Sequence, residues 1–280
     1  LALLALAFTL LTGCLTLRGL IAGRLPLGNG YETMLFTAWC AMGVGLLLSH
    51  RIFLSVAGGW LMSGFALLVA TIGAMNPQIT PLMPVLASPW LSIHVSVIMM
   101  AYALLGVIAI NGCAALALRS WQRTDSLERI ATQLTRLQIL SRVLLYPAVF
   151  LLAAGIFVGA IWANVSWGRY WGWDPKEVWA LITLLIYALP MHGTSLPAFR
   201  RPLFFHAYCA SAFMAVLMTY FGVNYFLGGM HSYAGEGHFP AGVIAFPAAA
   251  MLLALIWLRH RALARNNRHI AVTTPPPHKN

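Results

Sequence analysis

Continuous apolar runs recur along this sequence, near residues 1–20, 33–49, 52–74, 94–118, 143–163, 176–193, 203–226 and 241–258. A helix needs roughly 20 such residues to cross a hydrocarbon core. The runs are too long and too continuous for the alternating strands, about ten residues each, of a membrane barrel. A water-soluble fold fails on a second count: charged residues make up 8% of the chain, against roughly 25% in an average soluble domain. The expected fold class is all-α, a polytopic transmembrane helix bundle of about eight spans.

The net charge of +11 would suit a nucleic-acid partner, but its distribution argues for topology instead. Thirteen of the 17 Lys and Arg residues fall in the segments after spans 2, 4 and 6 and in the C-terminal tail, and four in the segments after spans 1, 3, 5 and 7. The positive-inside rule makes the first set cytoplasmic. Both termini then face the cytoplasm, no nucleic acid is expected, and the lipid bilayer is the surrounding medium. Residues 1–258 read as the transmembrane domain. Residues 259–280 read as a basic, disordered cytoplasmic tail, since Pro275, Pro276 and Pro277 cannot continue a helix. Within 119–142, Leu127, Ile130, Leu134, Leu137 and Leu140 recur at helical spacing among arginines. This predicts either a short amphipathic helix on the cytoplasmic face or a basic extension of span 5. Leu1 lies inside an apolar run without an initiating Met or a cleavage signal, so a missing N-terminal segment is expected rather than a signal peptide. Cys14, Cys40, Cys113 and Cys209 all fall in apolar runs with no C-x-x-C pair, the pattern of small buried side chains.

The segment between spans 5 and 6 concentrates the unusual chemistry. Five of the ten tryptophans fall between Trp162 and Trp179. An interfacial aromatic belt is the bland explanation. A Trp-Gly-Trp run, Trp171-Gly172-Trp173, with an acid beside it favours a platform for a large flat apolar ligand. Asp174, Pro175 and Glu177 also fit the N-cap, N1 and N3 positions of a capping box that starts span 6. Both roles are compatible.

Among the nine histidines, His260, His269 and His278 lie in the tail and His50 at a cytoplasmic helix end. His206 lies near the cytoplasmic start of span 7. His94 opens span 4 and His231 follows span 7, both on the side of the tryptophan segment. Two neutral imidazoles flanking an aromatic surface suit axial coordination of haem iron. Zinc would need further Cys, Asp or Glu ligands that do not accompany them. His192 lies about 22 Å further along the helix that follows Glu177.

The stretch Trp167-Gly168-Arg169-Tyr170-Trp171-Gly172-Trp173-Asp174-Pro175-Lys176-Glu177-Val178-Trp179 resembles the "WWD" signature of the haem-handling proteins. Within that superfamily it is most similar to the CcsA (ResC) family of system II cytochrome c maturation; CcmC is shorter and CcmF much longer. The likeness extends to Gly28-Asn29-Gly30-Tyr31-Glu32 and to Tyr220-Phe221-Gly222-Val223-Asn224. Val178 departs from the Thr or Ile more usual there. The resemblance implies that His94 and His231 are axial ligands of haem b, bound as cargo, with His192 at an inner haem site. It implies cofactor contacts from Trp167, Trp171, Trp173 and Asp174, with Arg169 and Lys176 available to haem propionates. It implies a CcsB-like membrane partner, apocytochrome c as acceptor, thiol-reducing proteins nearby, and membership of a holocytochrome c synthase complex. The location would be a bacterial inner membrane or a thylakoid. Two rivals stay open: a b-type cytochrome passing electrons to or from quinone, and a transporter whose aromatic loop is a gate.

Overall fold

The computed structural model describes residues 1–50, 54–72, 75–120, 127–231 and 261. All regular structure among these residues is helical. Helix α1 spans Ala2–Ala22, α2 Gly30–Leu48, α3 Leu54–Ile72, α4 Pro89–Ser120, α5 Leu127–Trp167 and α6 Pro175–Ala188. Helix α7, Pro202–Leu217, runs on through a π-helical stretch, Met218–Gly222, into a last α turn, Val223–Phe226. Short 3-10 turns sit at Pro84–Leu86, Leu189–His192 and Pro197–Arg200. Six helices, all but α6, are long and apolar enough to cross a membrane. The chain is a polytopic helical membrane protein. The expected span at 241–258 and the basic tail lie outside the described residues, apart from Arg261.

The expected sixth span, 176–193, is realised in two pieces. Helix α6 covers 14 residues and the 3-10 turn four more, giving about 21 Å and then about 8 Å of rise. Pro190 explains the switch, because proline has no N–H to continue the α ladder. Helix α5 settles the 119–142 alternatives for the part described. It is continuous over 41 residues, roughly 60 Å, twice a hydrocarbon core of about 30 Å. Its arginine-bearing N-terminal third is therefore the extension of a span rather than a separate surface helix. Leu134 and Leu137 are buried against Ala115 and Leu118 of α4, so the apolar stripe packs on protein.

Helix α4 is the axis of the bundle. Every residue from Ala101 to Ala109 is buried, as expected of a helix enclosed on all sides. It packs chiefly on α5 and α7, and α2 packs chiefly on α3. Among the described residues, helix α1 packs chiefly on α2 and leaves Leu3, Leu6, Leu10, Leu17, Leu20 and Ile21 exposed.

The helix ends carry local signals. Helix α1 stops at Gly23, whose left-handed φ of 64° lets its N–H reach the Gly19 carbonyl. Asn29 caps α2, accepting from the Glu32 amide at 2.9 Å. Glu32 is fully buried and accepts from Arg18 at 3.1 Å, from Arg24 at 2.8 Å and from the Gly28 amide at 2.7 Å. Thr33, one residue on, meets the Tyr220 hydroxyl at 2.6 Å. That contact ties the start of α2 to the π-helical end of α7, which is also the end where the tryptophan segment lies.

Candidate functional site at the tryptophan loop

The segment joining α5 to α6 is short and sharply turned. Gly168 closes α5 with φ 73°, and its N–H donates to the Asn164 carbonyl at 2.9 Å. Trp173 also adopts a positive φ of 57°, which costs a non-glycine residue roughly 1–2 kcal/mol. Its indole is 73% exposed. The expected capping box is present. Asp174 accepts from the Lys176 amide at 3.1 Å, and Glu177 accepts from the Asp174 and Gly172 amides at 3.2 and 2.7 Å.

Asp174 does more than start α6. Its Oδ1 accepts from the Met230 amide at 2.6 Å, and its Oδ2 accepts from the His231 ring at 2.8 Å. The backbone at Gly229 lies so close to Oδ1 that a Cβ there would collide with it. One carboxylate thus fastens the segment after α7 onto the head of α6. Burial alone would raise the Asp174 carboxyl; the Lys176 amide, the His231 ring and the Met230 amide more than offset this and hold it below the ordinary range. Burial pushes His231 below its usual value, although Asp174 pulls the other way. His231 is accordingly neutral near pH 7.

Helix α5 positions both histidines. His94 of α4 reaches the Gly155 carbonyl through Nδ1 at 2.7 Å. Its ring occupies the space where a side chain at Gly159 would stand, a Cβ there being 2.6 Å from two ring atoms. His231 rests edge-on against Trp167, with ring centroids 4.8 Å apart, and is 5.7 Å from Trp162. Gly155, Gly159 and Trp162 follow the i, i+4, i+7 spacing of one helix face.

A carbonyl and a carboxylate can only accept, so in each imidazole Nδ1 carries the proton, and in the neutral ring the lone pair is then on Nε2. Neither Nε2 has a partner among the described residues. That is the protonation state an iron or zinc ligand requires, with the outward nitrogen free and the other pinned. The donor set, two neutral nitrogens with aromatic neighbours, suits haem iron. Trp162 adds a second sign of a missing partner: its indole N–H is buried and unpaired.

The tryptophans do not form one flat shelf. Trp162 and Trp167 meet at 65° with centroids 4.7 Å apart and back His231, whereas Trp171 and Trp173 meet at 87° and 5.8 Å further out. Lys176 is turned inward, with Nζ 2.6 Å from the Asn224 side chain, and Arg169 folds over Gly172 toward Met230. His192 is not brought to this cluster. It ends the 3-10 turn at the far end of α6, exposed, with Nδ1 2.9 Å from the Ala188 carbonyl. His206 is buried between α5 and α7 and donates to the Leu134 carbonyl at 3.2 Å. Sequence reasoning did not single out Gly155, Gly159 or Met230, and gave Asn224 no role of its own; the helical spacing of the first two with Trp162 was the available signal.

Residues 27–231 match the family described as cytochrome C assembly protein, a stretch that contains His94 and ends on His231. Protein NrfI of Wolinella succinogenes is 42% identical over 231 residues, which cover 81% of this chain and 25% of NrfI. The cytochrome c biogenesis protein CcsA of Guillardia theta is 34% identical over 254 residues, 81% of this chain and 83% of that protein. The protein of the same name from Synechocystis is 30% identical over 291 residues, 82% and 86% of the two chains. The chain thus spans about a quarter of NrfI and most of these two CcsA proteins.

Proposed function

The chain belongs to the cytochrome c assembly protein family, and from that premise we propose that it serves the maturation of c-type cytochromes by holding haem b, its substrate, between His94 and His231. The observation that carries this reading is the paired tautomer: both rings are pinned at Nδ1 and open at Nε2. The unpaired Trp162 indole N–H beside His231 supports it. Trp167, Trp171, Trp173 and Asp174 line or support the haem on the exoplasmic side. Haem supplies the vinyl groups, across whose C=C bonds the S–H groups of an apocytochrome C-x-x-C-H segment add. That addition transfers no net electrons, so both thiols must arrive reduced.

The chain's own contribution is placement. Fixed imidazoles and caps on rigid helix ends turn a bimolecular encounter into a positioned one. His192 serves an inner haem site completed by a CcsB-like membrane partner, within a synthase complex of a bacterial inner membrane or a thylakoid. The basic segments face the cytoplasm.

The test is the visible spectrum of the purified full chain, alone and with its membrane partner. Haem with a low-spin, two-nitrogen spectrum is expected. His94→Ala and His231→Ala should each abolish that spectrum and cytochrome c assembly. Unchanged haem content and assembly in the double variant would overturn the reading. Quinone turnover independent of apocytochrome would favour the electron-transfer rival.

A further inference from the structure

The two histidines are pinned by acceptors of different kinds. His94 donates to a neutral backbone carbonyl, Gly155, at 2.7 Å. His231 donates to the carboxylate of Asp174 at 2.8 Å. We propose that Asp174 is the positioning residue of this site, making His231 the retained, stronger-donating iron ligand and leaving His94 as the ligand that an incoming histidine displaces. This deepens the haem-binding reading above and rests on it.

Three observations carry it. A carboxylate on Nδ1–H draws that proton toward itself and returns electron density to Nε2, raising the ligand's basicity; a carbonyl does so less. Asp174 is also held by bonds to the protein itself. Its side chain caps α6 through the Lys176 amide and clasps the Met230 amide, so it holds both the ring and the backbone next to the ring. The nearest lysine does not compete for it, because Lys176 Nζ is taken by Asn224 at 2.6 Å. His94, by contrast, is placed by steric fit against Gly159 and has no anionic partner among the described residues. When a histidine from the acceptor protein arrives, the weaker of two ligands on one iron leaves first.

The experiment uses the full chain with its membrane partner, loaded with haem, comparing Asp174→Asn and Asp174→Ser with the unaltered protein. Both replacements are good N-caps, so the start of α6 is kept, and two variants guard against a folding failure in either one. Loss of the carboxylate should lower the ferric-over-ferrous preference about tenfold, a rise of about 59 mV for a one-electron couple. It should also speed haem loss to apomyoglobin by roughly 10–100-fold. The decisive arm repeats Asp174→Asn in two backgrounds. The shift should persist in His94→Gly, where His231 is the remaining ligand, and vanish in His231→Gly. An unchanged potential, or an equal shift in both backgrounds, overturns this proposal while leaving the haem reading intact. Absence of haem from the unaltered protein overturns both.

Discussion

Glu32 and Asp174 are carboxylates buried at the same end of the bundle, one in the first turn of its helix and one at the N-cap, and they do opposite work. Glu32 is enclosed by two guanidinium groups and a backbone amide, with no exposed surface. Every bond its carboxylate makes is to the segment 18–32, so it fixes how α1 turns into α2, while Arg24 carries the tie onward to the Thr80 carbonyl. Asp174 has no Lys or Arg bonded to it among the described residues. Its oxygens reach an amide of its own helix and then two groups 56 and 57 residues away, one of them an imidazole whose other nitrogen is open. A saturated carboxylate is a staple. One that ends in a group with spare valence is a handle on whatever that group holds.

Replacing each carboxylate separates these roles. Glu32→Ala should give the largest effect, because it strands Arg18 and Arg24 without a counter-charge; a loss of about 3–5 kcal/mol is expected. Thermal unfolding in detergent would measure it, and haem per folded molecule should not change. A fall in that ratio would erase the distinction. Gly159→Ala comes next, since its Cβ must push the His94 ring aside, costing about 1–3 kcal/mol and the low-spin, two-nitrogen spectrum, with haem left on His231. An unchanged low-spin spectrum there would show that His94 is not held where the site needs it. Asp174→Ala should cost about 1 kcal/mol of stability through the lost cap, with haem retention falling far more than the melting temperature. Equal losses in both would make Asp174 a staple after all. The smallest effect belongs to Trp173→Asn, which relieves a left-handed backbone at an exposed position. A gain of no more than about 1 kcal/mol is expected, and a loss would mean that the indole is anchored.

Much of this was legible along the chain. The apolar runs gave α1 to α4 and α7 to within about five residues at each end, and the C-terminal end of α5, because spanning a bilayer is a demand on local composition. The Asp174-Pro175-Lys176-Glu177 box was readable because all its bonds lie within one turn. What escaped depended on distance in sequence. The second task of Asp174 is invisible without knowing that residue 230 returns to residue 174. Continuity of α5 across its basic third required knowing that α4 extends far enough to bury Leu134 and Leu137. The shortfall of α6 needed only closer attention to Pro190. The flat aromatic shelf was an inference from composition, and ring orientation is not a property of composition; the edge-on pairs follow from where α5 ends and Trp173 turns.

The π-helical stretch in α7 has a consequence for how the two ends of that helix are aimed. A π turn spends one more residue than an α turn, so everything beyond Gly222 is advanced by about 100° around the axis. Below it, Phe205, Cys209, Ala212, Phe213 and Val216 are buried in the core. Above it, Asn224 meets Lys176, and the chain leaves toward Met230 and His231 on a different bearing. Helix α7 works like a camshaft with two offset lobes: one seats the shaft in its bearings, and the other lifts the segment that carries His231.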